Sequence, residues 1–105
     1  MAIMAKDENI RRILAEAELP VVVDFYRDGC VPCRRMSPIL SELEASLEGQ
    51  VTFVKINTTA NIMASELFEI KAAPTLVLFR QGKEVARQRG YADRATTAKW
   101  IEDNR

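Results

Sequence analysis

The 105-residue chain contains no histidine and only two cysteines. Without imidazole there is no histidine acid or base, no His-activated nucleophile and no metal site that needs a nitrogen ligand. Net charge is missing as well, because fifteen basic residues balance fifteen acidic ones. Nothing in that balance draws the chain to nucleic acid or to an anionic membrane. No apolar run approaches the roughly 18 residues that a membrane span needs. Met1-Ala2-Ile3-Met4-Ala5 is too short for the apolar region of a secretory signal and runs straight into charge at Lys6-Asp7-Glu8. The chain is therefore expected to be cytoplasmic. In a reducing compartment, two cysteines point to catalysis or metal binding rather than to a structural staple. Repeats, low-complexity tracts and Pro/Gly/Ser-rich linkers are also absent, which makes residues 1–105 one domain with room for a real core.

What is present alternates between strand and helix signals. Asp7 is expected to cap a first helix reaching about Ala17, with Ile10, Ile13 and Leu14 on one face. After Pro20, the run Val21-Val22-Val23-Asp24-Phe25-Tyr26 reads as a strand covered on both faces. Met36, Leu40, Leu43 and Leu47 recur at helical spacing, with Pro32 suited to the first helical position and Pro38 expected to kink the helix. Val51 to Ile56 is a second buried strand. Ala60 to about Ile70 is a third helix whose apolar members are Ile62, Met63, Leu67 and Ile70. Thr75 to Phe79 and Glu84 to Arg89, joined at Gln81-Gly82, form an antiparallel hairpin. Asp93 caps a last helix with Thr97, Trp100 and Ile101 turned inward, and Met1 to Ala5 is a candidate edge strand. This order predicts an α/β fold, a mixed sheet of four to five strands flanked by four helices.

Cys30-Val31-Pro32-Cys33 falls where the first buried strand hands over to the long helix. A sulfur at a helix start meets unpaired backbone N–H groups and the positive end of the helix dipole, both of which favour thiolate. A second sulfur about one turn further on is within reach of a disulfide with the first. Such a pair suits thiol–disulfide exchange, in which one sulfur attacks and the other resolves. An ordinary thiol is only roughly 3% ionised at pH 7, so activation matters, and Arg27, Arg34 and Arg35 add positive charge around the motif.

Several fragments together resemble the thioredoxin family over nearly the whole chain. They are Val23-Asp24-Phe25, the Cys30–Cys33 motif, Pro38-Ile39-Leu40, Lys55-Ile56-Asn57, Ala73-Pro74-Thr75-Leu76 and Gly90. Two departures stand out. The family usually carries Trp before the first cysteine, where this chain has Gly29, and Gly-Pro between the cysteines, where it has Val31-Pro32.

The resemblance implies a thioredoxin fold and a redox-active Cys30–Cys33 pair, with Cys30 as nucleophile. Cys33 would be the resolving thiol, expected to be the more buried of the two. It implies Asp24 beneath the pair as a proton acceptor acting through water, its pKa raised by burial, with Lys55 on the neighbouring strand tempering that rise. It implies a cis Ala73–Pro74 bond that excludes a backbone donor near the thiols and presents Ala73 to an extended substrate. Gly29, Val31, Pro32, Ala73, Pro74, Gly90 and Tyr91 would form the substrate rim, with Tyr91 partly replacing the missing Trp. The implied activity is reduction of target-protein disulfides by a monomer that needs no cofactor or metal and is restored by a thioredoxin reductase. An oxidant or isomerase, a redox-silent docking module and a metal bridged between two copies remain as alternatives.

Overall fold

The computed structural model describes residues 2–105. Its organising element is the almost wholly buried strand Val21–Tyr26 (β2), at the centre of a five-stranded mixed sheet. In chain order the elements are β1 (Ile3–Met4), α1 (Ile10–Glu16), β2, α2 (Val31–Ser46), β3 (Thr52–Asn57), α3 (Ile62–Leu67), β4 (Thr75–Arg80), β5 (Lys83–Arg89) and α4 (Arg94–Asn104). The strands lie in the order β1-β3-β2-β4-β5. β3 runs parallel to both β1 and β2, while β4 is antiparallel to β2 and to β5.

Side chains alternate across β2, and each face has its own core. Val21, Val23 and Phe25 pack with Ile10, Leu14, Ile56, Ala64 and Val77 on the side of α1 and α3. Val22 packs with Met36, Leu40, Leu43, Leu76, Leu78 and Ile101 on the side of α2 and α4. Asp24 shares the face of Val22 and so points toward α2. Fully burying an aliphatic or aromatic side chain contributes about 1.5–3 kcal/mol. A strand with four such neighbours can therefore carry one buried carboxylate that costs several kcal/mol. The five strands and four helices match the architecture expected from sequence, and α2 runs through Pro38 without interruption.

Local details differ in informative ways. Asp7 does not cap α1, whose N-cap position is Asn9 and has no side-chain cap. Its Oδ1 instead accepts the Ala64 N–H in α3 at 2.7 Å, and its own N–H donates to Asn61 Oδ1 at 2.9 Å. The helix α2 begins at Val31 with Cys30 as N-cap, which places Pro32 second rather than first. The third helix is short, and its apolar members Ile62, Met63 and Leu67 are 61%, 72% and 52% exposed. Only Ala64 of that helix is buried, and the large apolar contacts come from Phe68 and Ile70 just beyond it. Phe68 sits with its ring centroid 5.5 Å from those of both Phe25 and Phe79. The edge strand sought over Met1–Ala5 is the two-residue β1, with Met1 outside the described residues. No helix among the described residues is long and apolar enough to cross a membrane.

Candidate active site

The end of β2 and the start of α2 build the site. The chain leaves β2 at Tyr26, and Gly29 turns it at a φ of +65°. That left-handed conformation is costly for a residue with a Cβ. Cys30 follows in extended backbone as the N-cap of α2, where its Sγ accepts the Cys33 N–H at 3.2 Å. A sulfur here takes the place of the Ser or Asp oxygen that usually satisfies a first-turn N–H. In general a backbone N–H donor at a helix start favours thiolate over thiol on a reduced sulfur. Cys30 and Cys33 are joined as a disulfide, their Cα atoms 5.2 Å apart. Cys33 was expected to be the more buried sulfur. In this disulfide form both are buried, Cys30 at 4% exposure and Cys33 at 7%, because Cys30 is also covered from the side of Ala73.

Cys30 Sγ lies 3.7 Å from the Ala73 carbonyl oxygen. The Ala73–Pro74 peptide bond is cis. Pro74 is buried, and its carbonyl accepts the Gly90 N–H at 2.7 Å, which ties the start of β4 to the end of β5. Tyr91 follows Gly90, is 38% exposed, and carries the Arg35 guanidinium 4.1 Å above its ring centroid. Val31, 56% exposed, and Pro32 occupy the open start of α2. Of the rim residues inferred from sequence, Val31 and Pro32 thus open α2, Gly29 and Pro74 lie just before α2 and β4, and Gly90 and Tyr91 just after β5.

A cavity of about 280 Å³ beside the disulfide is lined by Asp24, Tyr26, Arg27, Asp28, Gly29, Cys30, Cys33, Arg34, Ser37 and Lys55. A larger groove of about 710 Å³ between α2 and the β3 side of the sheet shares Asp24, Ser37 and Lys55 with it. Asp24 is 4% exposed, so it is not a solvated strand-end residue. Its Oδ1 has no hydrogen-bond partner among the described residues. Burial pushes its pKa up to about 6, and the positive charge of Lys55 acts against that rise. Lys55 is the register partner of Asp24 and is half-buried, with its Nζ 5.2 Å from the Tyr26 ring centroid. The Tyr26 hydroxyl is raised by burial first, and then by the carboxylates of Asp24 and Asp28.

Ser37 escaped the sequence reading although it lines both cavities. The available signal was its spacing, one helical turn after Cys33 and on the same face. Among the described residues there is no group of three or more His, Cys, Asp or Glu placed to hold a metal ion.

The family model described as Thioredoxin matches residues 1–103. The chain is 37% identical over 98 residues to Thioredoxin C-2 of Corynebacterium nephridii, covering 93% of this chain and 91% of that protein. It is 31% identical over 104 residues to a thioredoxin of Rickettsia bellii, with 99% of each chain covered. A thioredoxin of Chlamydia pneumoniae is 46% identical over 74 residues, 70% of this chain and 72% of that one.

Proposed function

The chain belongs to the thioredoxin family and is a thiol–disulfide oxidoreductase, and from that premise we propose that it works in the reducing direction on disulfides of target proteins. The observation that carries the reading is Cys30 as the N-cap of α2, bonded to Cys33 and 3.7 Å from the Ala73 carbonyl. Reduced Cys30, held as thiolate by the Cys33 N–H and the helix end, attacks one sulfur of the target disulfide. A mixed disulfide forms and the other target sulfur leaves as thiolate. The Cys33 thiol then gives its proton through water to Asp24, whose pKa of about 6 suits a base near neutrality. Cys33 attacks Cys30 Sγ, the Cys30–Cys33 bond closes and the second target sulfur is released. Two electrons pass from the dithiol to the target, so the sulfurs themselves carry the redox chemistry.

In this reading Lys55 sets the acidity of Asp24 through its charge. Gly29, Val31, Pro32, Ala73, Pro74, Gly90 and Tyr91 receive an extended substrate segment beside the sulfurs. The protein acts as a single-domain monomer in the cytoplasm, and a thioredoxin reductase returns the disulfide to dithiol. Insulin-disulfide reduction tests the assignment. Wild-type protein is expected to turn over with a reductase or dithiothreitol, and Cys30→Ser to be inactive. Activity surviving in Cys30→Ser would remove the motif from the chemistry. Equilibration with glutathione sets the direction, since a strongly oxidising potential would make the protein an oxidant instead.

A further inference from the structure

The active-site end carries positive charge in a molecule that has none overall. Three cations, Arg27, Arg34 and Lys55, line the disulfide cavity against two carboxylates, Asp24 and Asp28. Arg35 adds a fourth cation beside it, its guanidinium stacked 4.1 Å from the Tyr91 ring centroid. None of the ion pairs among the described residues involves Arg27, Arg34 or Arg35, whereas Arg12, Arg87, Arg94 and Arg105 are each paired. Asp28, the exposed one of the two carboxylates lining the cavity, accepts a neutral hydrogen bond from Asn57 Nδ2 at 2.9 Å. Gly29 contributes no side chain at all to this rim. The groups left to meet a partner beside the sulfurs therefore include exposed Val31 and Tyr91, the Arg35 guanidinium on the Tyr91 ring, and Arg27 and Arg34 at the cavity.

We propose that this rim selects disulfides set in acidic polypeptide, with Asp or Glu within a few residues of the attacked cysteine; the inference rests on the reductant reading above. A guanidinium offers planar paired donors that match a carboxylate. Arg35 is already ordered by Tyr91, so less freedom is lost when it engages. Exposed charges such as these act mainly on encounter, raising the association rate with a partner of opposite sign. The preference therefore belongs in kcat/KM and weakens as salt screens it.

The test compares three disulfide-linked peptides of equal length whose cysteines are flanked by Asp/Glu, Ser/Thr or Lys. Each is reduced by the full-length protein with dithiothreitol as electron source. At low ionic strength the acidic peptide is expected to exceed the basic one by about tenfold in kcat/KM. At about 0.5 M salt the two should agree within roughly twofold. In the double variant Arg34→Glu/Arg35→Glu the order should reverse, read as a ratio so that any change in Cys30 acidity cancels. Equal rates for the acidic and basic peptides at low salt would overturn the proposal, as would an acidic preference retained in the double variant. Reduction of the Ser/Thr peptide reports the dithiol chemistry alone, and its failure along with the other two would bring down the reductant reading itself.

Discussion

Asp24 and Lys55 face one another across the parallel β2–β3 pair, yet Lys55 directs its ammonium to the Tyr26 ring and Asp24 Oδ1 has no hydrogen-bond partner among the described residues. The attraction between the two charges is real but incomplete. Burial outweighs it, and the Asp24 pKa settles at about 6 instead of near 3.8. The carboxylate is thus held poised in the oxidised protein, at a cost that the two flanking cores offset.

That cost has a pH signature. Raising the pKa from 3.8 to about 6 means that the folded chain binds the Asp24 proton more tightly than the unfolded chain. Its contribution to stability is fully present below about pH 4 and is lost as pH rises through about 6. The difference amounts to about 3 kcal/mol, at 1.36 kcal/mol per pKa unit. Asp24→Asn should therefore be more stable than wild type at pH 7.5 by up to about that amount, with the advantage vanishing near pH 4. Urea unfolding of both oxidised proteins across this range measures it. A stability difference independent of pH would show that the Asp24 carboxyl is not strained by burial.

Lys55 should tune the chemistry through Asp24. If Cys33 delivers its proton to Asp24, resolution of the mixed disulfide rises with pH through the Asp24 pKa. Lys55→Met removes the charge that lowers that pKa while keeping a long apolar stem. The midpoint of the resolution step is expected to move to higher pH, with slower release at pH 6 and convergence with wild type in alkali. Stopped-flow measurement of product release from a trapped mixed disulfide reads this directly. An unchanged midpoint would reduce Lys55 to a cover for Tyr26.

The strands and the two cysteines were legible because their signals are local. β2 is a six-residue apolar run broken only by Asp24, and Cys30 stands where strand gives way to helix. Asp7 was misread for the opposite reason. Its position before Ile10 fits a cap for α1, but the carboxylate finds its N–H donor 57 residues away in α3. Helical spacing likewise marked Ile62, Met63 and Leu67 as apolar members of α3, yet all three are exposed. A one-and-a-half-turn helix resting on the small side chain of Ala64 cannot turn them inward. The cavity shared by Asp24, Ser37 and Lys55 joins three elements, and no single stretch of sequence encodes it.

The long-range cap makes its own prediction. Asp7→Ala should remove the 2.7 Å hydrogen bond to Ala64 N and destabilise the protein by about 1–2 kcal/mol, in the range of an N-cap loss. Amide exchange should quicken at Ala64 and in α3 while α1 stays protected, since α1 does not use the Asp7 side chain. Faster exchange confined to α1 would restore the local-cap reading of this residue.

Gly29 sets the last expectation, because its backbone and its surroundings pull in different directions. Its φ of +65° disfavours any residue with a Cβ, but beyond the two adjoining residues a Cβ placed there would meet no heavy atom within 4 Å. The cost of substitution is therefore backbone strain alone, about 1–2 kcal/mol for a left-handed L-residue. Gly29→Ala and Gly29→Trp should be destabilised about equally, and Gly29→Asn less, since Asn tolerates this conformation. The indole would stand beside Cys30 at the edge of the substrate rim. It should alter the relative rates on several protein disulfides more than it alters the pH dependence of Cys30 alkylation. Chemical unfolding, iodoacetamide titration and a panel of protein substrates separate these effects. Identical substrate ratios in wild type and Gly29→Trp would show that position 29 takes no part in choosing partners.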